Sequence, residues 1–202
     1  MITRAAFLAS GSANTRPVIK GVFLRKAMLC DVIPPPPANA AAVPPALSPD
    51  MTTREVVEHI TEQPGTDCAG CHRALINPLG FATENFDALA RVRTEQTLYD
   101  DQGNVTGKKP VDTSSSPQVP VGSSETSQGA ADLLRIMLES TRPQACFARK
   151  YFRFTFGRIE DPTRDGCALE DVRAAMVDEQ VPLREVLTRV ARTPAFRQRT
   201  FK

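Results

Sequence analysis

The most constraining feature of this sequence is the pentapeptide CAGCH at residues 68–72. Two cysteines three residues apart, with a histidine directly after the second, form the attachment pattern of a c-type haem. On one helical turn, Cys68 and Cys71 project to the same side, where each thiol can form a thioether with a porphyrin vinyl group. His72 then presents its imidazole to the iron as the proximal axial ligand. The motif therefore predicts one covalently bound haem c.

Two other interpretations of the motif stay open, a structural disulfide between its two cysteines and a zinc site. A closed structural zinc site needs about four ligands, usually in two spaced pairs. The sequence has no second Cys-x-x-Cys and no histidine pair. A thioredoxin-like dithiol is expected beside a strand-helix-strand pattern, which this sequence does not show. We therefore prefer the haem interpretation.

Composition narrows the range of partners and locations. The 202 residues include 25 basic and 23 acidic side chains, a formal net charge of +2, which predicts no nucleic-acid partner. No apolar run approaches the ~20 residues of a membrane-spanning helix, so no membrane span is expected. Five cysteines in a chain of this length indicate an oxidising compartment. We therefore predict a periplasmic or secreted protein.

The first residues conflict with that location. Residues 1–11 hold one arginine and a short AAFLA run, too little for the charged and apolar regions of an export signal. We therefore expect the chain to be the C-terminal part of a longer exported precursor. The N-terminal portion of that precursor would then be a partner of this piece.

The first half of the chain is predicted to form helices separated by a proline-rich segment. Apolar spacing predicts an amphipathic helix over 17–30. Prolines at positions 34–37, 44, 45 and 49 follow, and they favour extended geometry because proline cannot continue a helix. A hydroxyl cap at Thr52 or Thr53 opens the next helix, which contains His59.

The residues after the motif are predicted to surround the haem. Pro78, Leu79 and Phe81 could form a wall at the haem edge, although ordinary core positions would show the same pattern. A backbone carbonyl near Pro78 is the expected acceptor for the second N–H of the His72 ring, because metal-bound histidines usually donate that proton. Residues 83–92 are then predicted to form another helix.

The second half is predicted to be a small helical bundle that follows an irregular connection. Turn residues and the Ser, Pro and Gly content indicate short strands and loops over 97–129. Apolar spacing then predicts helices over 130–140, 143–157, 169–177 and 183–191, with an aromatic core and Gly157 as a helix C-cap.

The expected fold is therefore mainly α, with a cytochrome c-like helical domain followed by a small helical bundle. Four parts are predicted along the chain. They are an N-terminal helix and Pro-rich segment (1–50), the haem-attachment domain (51–96), a loop and short-strand connector (97–129) and a C-terminal helical domain (130–202).

Cys146 and Cys167 are predicted to form a disulfide in the C-terminal half. In an oxidising compartment, a bond that closes a loop of ~20 residues would stabilise a small domain by about 3 kcal/mol in the chain-entropy model. Two separate buried thiols are the alternative. Cys30 is then left over, either free or paired with a cysteine outside this chain.

Taken together, the motifs of the chain resemble a known pair of domains. The first half has, in order, a helix, a Pro-rich run, a helix bearing His59, CAGCH, PLGF at 78–81 and ENFD at 84–87. The second half has the segment 146–158, Cys167 and FRQR at 196–199. This set is similar to the paired cytochrome-like domains of unknown function 1588 and 1585, found at the C-terminus of large secreted planctomycete and myxobacterial proteins. The resemblance implies an exported, haem-bearing redox protein.

The distal iron ligand is predicted to be His59, with Met137 as the alternative. Imidazole and thioether donors suit this position, and His59 is the only histidine besides His72. The turn at 64–65 allows the helix of His59 to fold back against the motif, and the resemblance implies a histidine at this place. Met137 lies downstream of the motif, as in small cytochromes, but in an apolar row that is typical of a protein core.

Three functions are compatible with these residues. The first is an electron-transfer module with a redox partner protein, because a covalently held haem needs no substrate pocket. The sequence singles out no nucleophile with a base, no phosphate loop and no paired carboxylates, which favours a carrier over a hydrolase. The second function is a peroxidase-type haem enzyme with an open iron position. The third is a non-catalytic interaction module in which Cys68 and Cys71 form a disulfide.

Overall fold

The computed structural model describes residues 2–36 and 46–197 and shows a mainly helical chain with one two-stranded antiparallel sheet. The mainly α fold class is therefore confirmed. The chain divides into two compact units, residues 1–139 and 140–202. Of the predicted segments, residues 37–45 of the Pro-rich run and Arg199 of the closing motif lie outside the described residues. No helix within the described ranges is both long and apolar enough to cross a membrane.

The first unit contains short helices and a β-hairpin. In chain order these are α1 (Ala5–Leu8), α2 (Pro17–Phe23) continued by a π-helical turn (Leu24–Met28), α3 (Thr53–Thr61), α4 (Asp67–Cys71) continued by a second π-helical turn (His72–Ile76), α5 (Asn77–Phe81), β1 (Glu95–Tyr99), β2 (Val105–Pro110) and α6 (Ala130–Glu139). The two strands pair antiparallel, with Thr97 opposite Lys108. The helix predicted over 17–30 is thus present, but its last part widens into a π-helical turn.

Helices α2 and α5 cross at very close range because a glycine lies at each contact point. A Cβ atom on Gly80 of α5 would lie 2.1 Å from the carbonyl oxygen of Pro17, at the start of α2. A Cβ atom on Gly21 of α2 would lie 2.0 Å from the carbonyl oxygen of Ile76. Both distances are far below van der Waals contact, so backbone packs directly on backbone at these points. Only glycine, which has no Cβ, permits this crossing.

The core of the first unit joins segments that are distant in sequence. Its buried apolar side chains are Ile2, Leu24, Leu29, Leu79, Ala82, Val119, Ala130, Leu133, Ile136 and Met137. Helix α6 therefore belongs to the first unit, whereas the sequence analysis placed residues 130–140 with the C-terminal domain. The apolar spacing of α6 predicts that one face is buried, but it carries no information about which segment covers that face.

Helix α3 is capped at its start and attached to the hairpin. The Thr52 side chain accepts a hydrogen bond from the Glu55 N–H at 3.3 Å, and the Glu55 carboxylate accepts one from the Thr52 N–H at 2.6 Å. This reciprocal pair is a capping box. Gln96 on β1 accepts from the Thr53 N–H and donates to the Thr53 hydroxyl, both at 3.1 Å. These contacts fix the position of α3 against the sheet.

The helix predicted over 83–92 is wrong, because this segment forms consecutive turns. The Asp87 carboxylate accepts hydrogen bonds from the backbone N–H groups of Leu89 and Arg91, both at 2.9 Å. Such local bonds compete with the helical pattern and favour turns. Ala90 adopts a left-handed conformation with φ of 64°, which ends any helical run.

Glu84, in the same segment, is a buried carboxylate with partners from two other parts of the unit. It accepts hydrogen bonds from the Thr15 hydroxyl at 2.7 Å and from the Arg93 guanidinium at 3.3 Å. Burial raises the pKa of Glu84, while the Thr15 hydrogen bond and the charges of Lys20 and Arg93 oppose that rise. The ENFD segment therefore connects the N-terminal segment to the residues before β1.

The second unit contains four helices within its described residues, α7 (Arg142–Phe156), α8 (Pro162–Val177), α9 (Leu183–Arg192) and α10 (Pro194–Arg197). Gly157, with φ of 61°, provides the predicted C-cap of α7. Helix α8 begins well before the predicted start at 169, because Asp161 caps it by accepting from the Thr163 N–H and Pro162 suits its first position. The core consists of Ala148, Val172, Ala175, Val186 and Val190, with Phe147, Tyr151 and Phe156 packed against it.

The predicted disulfide between Cys146 and Cys167 is wrong. Cys146 is buried and disulfide-bonded, whereas Cys167 is an exposed free thiol on α8. Cys30 is also disulfide-bonded, so the alternative that it stays free is wrong as well. The spacing of cysteines along a chain does not determine which sulfur atoms meet, and for this reason the pairing could not be derived from the sequence.

Unfolding of the second unit is expected to depend on pH through Glu160. This buried carboxylate accepts from Arg153 Nε at 2.6 Å and from Arg149 Nε at 2.7 Å, and these hydrogen bonds lower its pKa from 4.5 to about 2. Because the folded-state pKa lies below the unfolded value, the stabilisation is complete above about pH 4.5 and is lost as the pH falls towards 2. We expect Glu160→Gln to cost about 2 kcal/mol at neutral pH.

Urea unfolding as a function of pH checks this prediction. The difference in stability between the natural chain and Glu160→Gln should shrink steadily between pH 4.5 and about 2. Glu185→Gln, which removes an exposed carboxylate from α9, serves as the control and should behave as the natural chain does. A difference for Glu160→Gln that stays constant with pH would contradict the prediction.

Candidate functional site

The CAGCH motif lies on a continuous helical segment formed by α4, the second π-helical turn and α5. The Thr66 side chain begins this segment by accepting a hydrogen bond from the Ala69 N–H at 3.3 Å. Cys68 and Cys71 are both free thiols of intermediate exposure, and His72 is also half-buried. The two thiols and the imidazole are therefore all accessible, and neither thiol is part of a disulfide.

The π-helical turn brings His72 next to Asn77. The Asn77 N–H donates to the His72 carbonyl oxygen, five residues back, instead of four as in an α-helix. The side chains of residues i and i+5 then meet on one face, and His72 Nδ1 lies 3.0 Å from Asn77 Oδ1. The role predicted for a backbone carbonyl near Pro78 is thus filled by the Asn77 side chain. The Pro78 carbonyl is instead the acceptor of the Ser115 hydroxyl, at 2.8 Å.

The hydrogen bonds of Asn77 determine which nitrogen of His72 carries the proton. The Asn77 amide nitrogen donates to Glu62 Oε1 at 2.7 Å and to Thr61 Oγ1 at 2.9 Å. An ionised carboxylate only accepts hydrogen bonds, so the NH2 group faces Glu62 and the amide oxygen faces His72. The ring nitrogen opposite that oxygen must donate, which assigns the proton to Nδ1. In the neutral ring, Nε2 then keeps its lone pair.

A buried arginine supports the π-helical turn from behind. Arg25, itself in the first π-helical turn, is completely buried and donates from Nε to the Leu75 carbonyl oxygen at 2.9 Å. Its other nitrogens donate to the carbonyls of Pro117 at 2.7 Å and Gln118 at 2.9 Å and to Asp31 at 3.1 Å. Arg25 thus places a side-chain donor on a backbone carbonyl of the π-helical turn and joins this turn to residues 117–118.

The three residues predicted as the haem wall lie in the protein core. Leu79 is 0% exposed and belongs to the core cluster of the first unit, and Pro78 is also buried. Phe81 is 2% exposed, and the Arg54 guanidinium lies 4.6 Å from its ring centroid. All three therefore have protein neighbours on their buried faces, and contact with a porphyrin edge stays a prediction.

The two candidates for the distal ligand lie in opposite environments. His59 is exposed on α3, three residues before Glu62 and therefore about 60° around the helix from this contact of Asn77. Met137 is 1% exposed and packs in the core of the first unit. His59 is thus free to move towards a ligand, whereas Met137 would have to leave the core.

The donor chemistry of the motif fits covalent haem better than a closed metal site. Within residues 2–36 and 46–197, no three His, Cys, Asp or Glu side chains lie close enough together to hold one metal ion. A structural zinc site requires such convergence. Haem attachment instead needs two thiols for the porphyrin periphery and one imidazole lone pair for the iron. Cys68, Cys71 and Nε2 of His72 provide these groups.

Sequence patterns single out neither Glu62 nor Asn77, and the clearer signal belongs to Asn77. It is completely buried, and it is polar in a segment whose other buried positions are apolar or glycine. Its distance of five residues from His72 carries no meaning in an α-helix, where neighbours on one face are three or four residues apart. The signal available in the sequence was an asparagine within an apolar stretch, directly before a proline. Its contact with His72 follows only from the π-helical turn.

Comparison with protein families covers both halves of the chain. Residues 1–96, which include the CAGCH motif, match the model of a family described as Protein of unknown function (DUF1588). Residues 123–196 match the model of Protein of unknown function (DUF1585). This range includes helix α6, which in the structure belongs to the first unit. No curated protein and no solved structure is significantly similar to the chain. The chain therefore carries a DUF1588 match and a DUF1585 match in succession, as a pair.

Proposed function

We propose that this chain is an exported cytochrome c-like module that binds one haem covalently through Cys68, Cys71 and His72 and transfers electrons. The observation that supports it best is the His72 ring, whose Nδ1 is bound to Asn77 while two free thiols lie on the preceding turn. When bound, the haem supplies reversible one-electron chemistry at its iron. Cys68 and Cys71 would hold the haem, His72 would offer its imidazole to the iron, and Asn77 would orient that imidazole through a hydrogen bond.

Export is part of the proposal, and the disulfide chemistry of the chain supports it. Cys30 and Cys146 are disulfide-bonded. Disulfides persist mainly in oxidising compartments such as the periplasm or the extracellular space. Covalent attachment of haem to a thiol pair also requires that Cys68 and Cys71 remain reduced until the haem arrives, and both are free thiols.

Intact-mass measurement of the exported chain tests haem attachment directly. After co-expression with a cytochrome c maturation system, we expect the mass to rise by one haem in denaturing conditions. Replacing Cys68 and Cys71 together by serine should abolish the increase, because both thioethers are then lost. Cys167→Ser is the matched control, since this thiol is also free but lies outside the motif, and it should leave attachment intact.

An unmodified mass, in cells that load a known c-type cytochrome, would contradict the proposal. It would favour the interaction module in which the two cysteines form a disulfide. Alkylation of the same sample with and without a reductant identifies this interaction module, because a disulfide blocks both motif thiols until it is reduced.

The optical spectrum distinguishes a carrier from a peroxidase-type enzyme. Two protein ligands on the iron favour electron transfer, whereas one ligand leaves a position open for chemistry. We propose His59 as the second ligand, because it is exposed on α3 while Met137 is committed to the core. A low-spin reduced spectrum that carbon monoxide does not change would support the carrier.

A further inference from the structure

A carboxylate lies two hydrogen bonds away from the His72 ring. Glu62, at the C-terminal end of α3, accepts from the Asn77 amide nitrogen at 2.7 Å, and the Asn77 amide oxygen faces His72 Nδ1 at 3.0 Å. Hydrogen bonds in such a chain polarise one another, so the negative charge makes the amide oxygen a stronger acceptor. The charge on α3 thus reaches the imidazole through Asn77.

Among the two acceptors of Asn77, Glu62 decides the orientation of the amide. A threonine hydroxyl can accept or donate, so Thr61 alone would admit the flipped amide if its proton turned from the Val57 carbonyl to the Asn77 oxygen. Its hydroxyl does donate to the Val57 carbonyl at 2.7 Å, which leaves its oxygen as an acceptor. The carboxylate can only accept, and it excludes the flipped amide at a site where Asn77 is completely buried.

We propose that Asn77 and Glu62 are positioning residues for the axial ligand. Asn77 holds His72 in the form protonated at Nδ1, and Glu62 holds Asn77 in the orientation that makes this possible. The result is an Nε2 lone pair that is available before any haem binds. The assignment of the proton is a property of the chain itself, whereas its consequence at the iron rests on the proposed function.

The charge of Glu62 has a further consequence for a bound haem. Acceptors behind a metal-bound histidine make the imidazole more basic and a better electron donor. Greater donation favours the oxidised iron and lowers the reduction potential, since second-shell hydrogen bonding is one of the protein's means of setting it. The Glu62 and Asn77 pair therefore lowers the potential of this module relative to the same site without the carboxylate.

Nitrogen-15 NMR of the haem-free full chain tests the assignment of the proton. At a pH of about 8, where free imidazole is neutral, we expect His72 to show the pattern of the Nδ1–H tautomer. His59, the only other histidine, provides an internal reference, and His59→Gln assigns the two signals. Asn77→Leu and Glu62→Gln should both increase the Nε2–H population of His72. Combining Asn77→Asp with Glu62→Gln should restore Nδ1–H, because the new carboxylate accepts from the ring and the new amide donates to it.

Two results would overturn the proposal. One is a natural chain in which His72 is mainly protonated at Nε2. The other is a tautomer population that neither Glu62→Gln nor Asn77→Leu changes. If Asn77→Leu does not fold, Glu62→Gln decides, because Glu62 is only partly buried and its isosteric replacement leaves the helix intact.

The reduction potential of the haem-loaded chain tests the role towards the iron. We expect Glu62→Gln to raise the potential and Glu58→Gln to change it much less. Glu58 is the matched control, since it lies on the same helix and pairs with Arg54 instead of contacting Asn77. Equal shifts of the reduction potential in the two variants would mean that any nearby negative charge has the same effect, and this would overturn the role of Glu62. A chain that takes up no haem would refute the proposed function, while the NMR result would still decide the tautomer.

Discussion

Gly80→Ala is expected to unfold the first unit or to destabilise it by about 3 kcal/mol or more. The added Cβ would lie 2.1 Å from the carbonyl oxygen and 2.6 Å from the carbonyl carbon of Pro17. Both atoms are backbone, so no side chain can rotate away to make room, and α2 and α5 must separate. Urea unfolding followed by far-ultraviolet circular dichroism measures the loss.

Gly70→Ala is the matched control for this experiment. Gly70 lies in α4 of the same unit, and a Cβ there would meet no atom within 4 Å. Alanine is favoured over glycine in a helix, so we expect this variant to be equally stable or more stable by up to about 1 kcal/mol. Equal stability of Gly80→Ala and Gly70→Ala would show that the two helices do not cross as described.

Arg25→Leu is expected to lower the stability of the first unit by about 3–5 kcal/mol. Arg25 is 0% exposed, and its guanidinium donates to three backbone carbonyls, those of Leu75, Pro117 and Gln118, and to the Asp31 carboxylate. Removing the donor leaves these oxygens buried with one partner fewer, and leucine cannot replace any of the bonds. The same unfolding measurement checks the loss.

Arg135→Leu separates the effect of burial from that of charge. Arg135 also has several carboxylate partners, including Glu125 and Glu139, but its side chain is 48% exposed. Exposed ion pairs contribute little to stability, so we expect a change below about 1 kcal/mol. If Arg25→Leu lowered the stability as little as Arg135→Leu, the buried hydrogen bonds of Arg25 would contribute no more than exposed ion pairs do.

Sequence patterns predicted those elements whose signals are local. The apolar spacing of α6 and α7 placed their ends within one residue of the structure, and Gly157 marked the end of α7. The same reasoning failed at 83–92, where apolar spacing is helical but the Asp87 side chain stabilises turns. The start of α8 was missed although Asp161 and Pro162 are a recognisable cap and first residue.

Features that depend on contacts between distant segments could not be predicted. No spacing rule indicates that α6 covers the first unit or that Cys167 stays free while Cys146 is bonded. At the candidate site, Cys68, Cys71 and His72 were evident from their motif. The hydrogen bonds that support His72 were not evident from the sequence. They depend on Glu62 at the end of α3 and on a π-helical turn, which contains one residue more than an α-helical turn.

The π-helical turn at His72–Ile76 holds one residue more than an α-helical turn would. Deleting one residue such as Ala74 would let an ordinary α-helix form, which locally is the more favourable geometry. His72 and Asn77 would then stand four residues apart, a spacing that also places two side chains on one face of an α-helix. The helix after the deletion would keep its direction, so Asn77 would still face the imidazole and Gly80 would still face Pro17. A residue added between His72 and Asn77 would instead turn both of them away by about 100°. The site therefore tolerates the loss of one residue in this turn better than the gain of one.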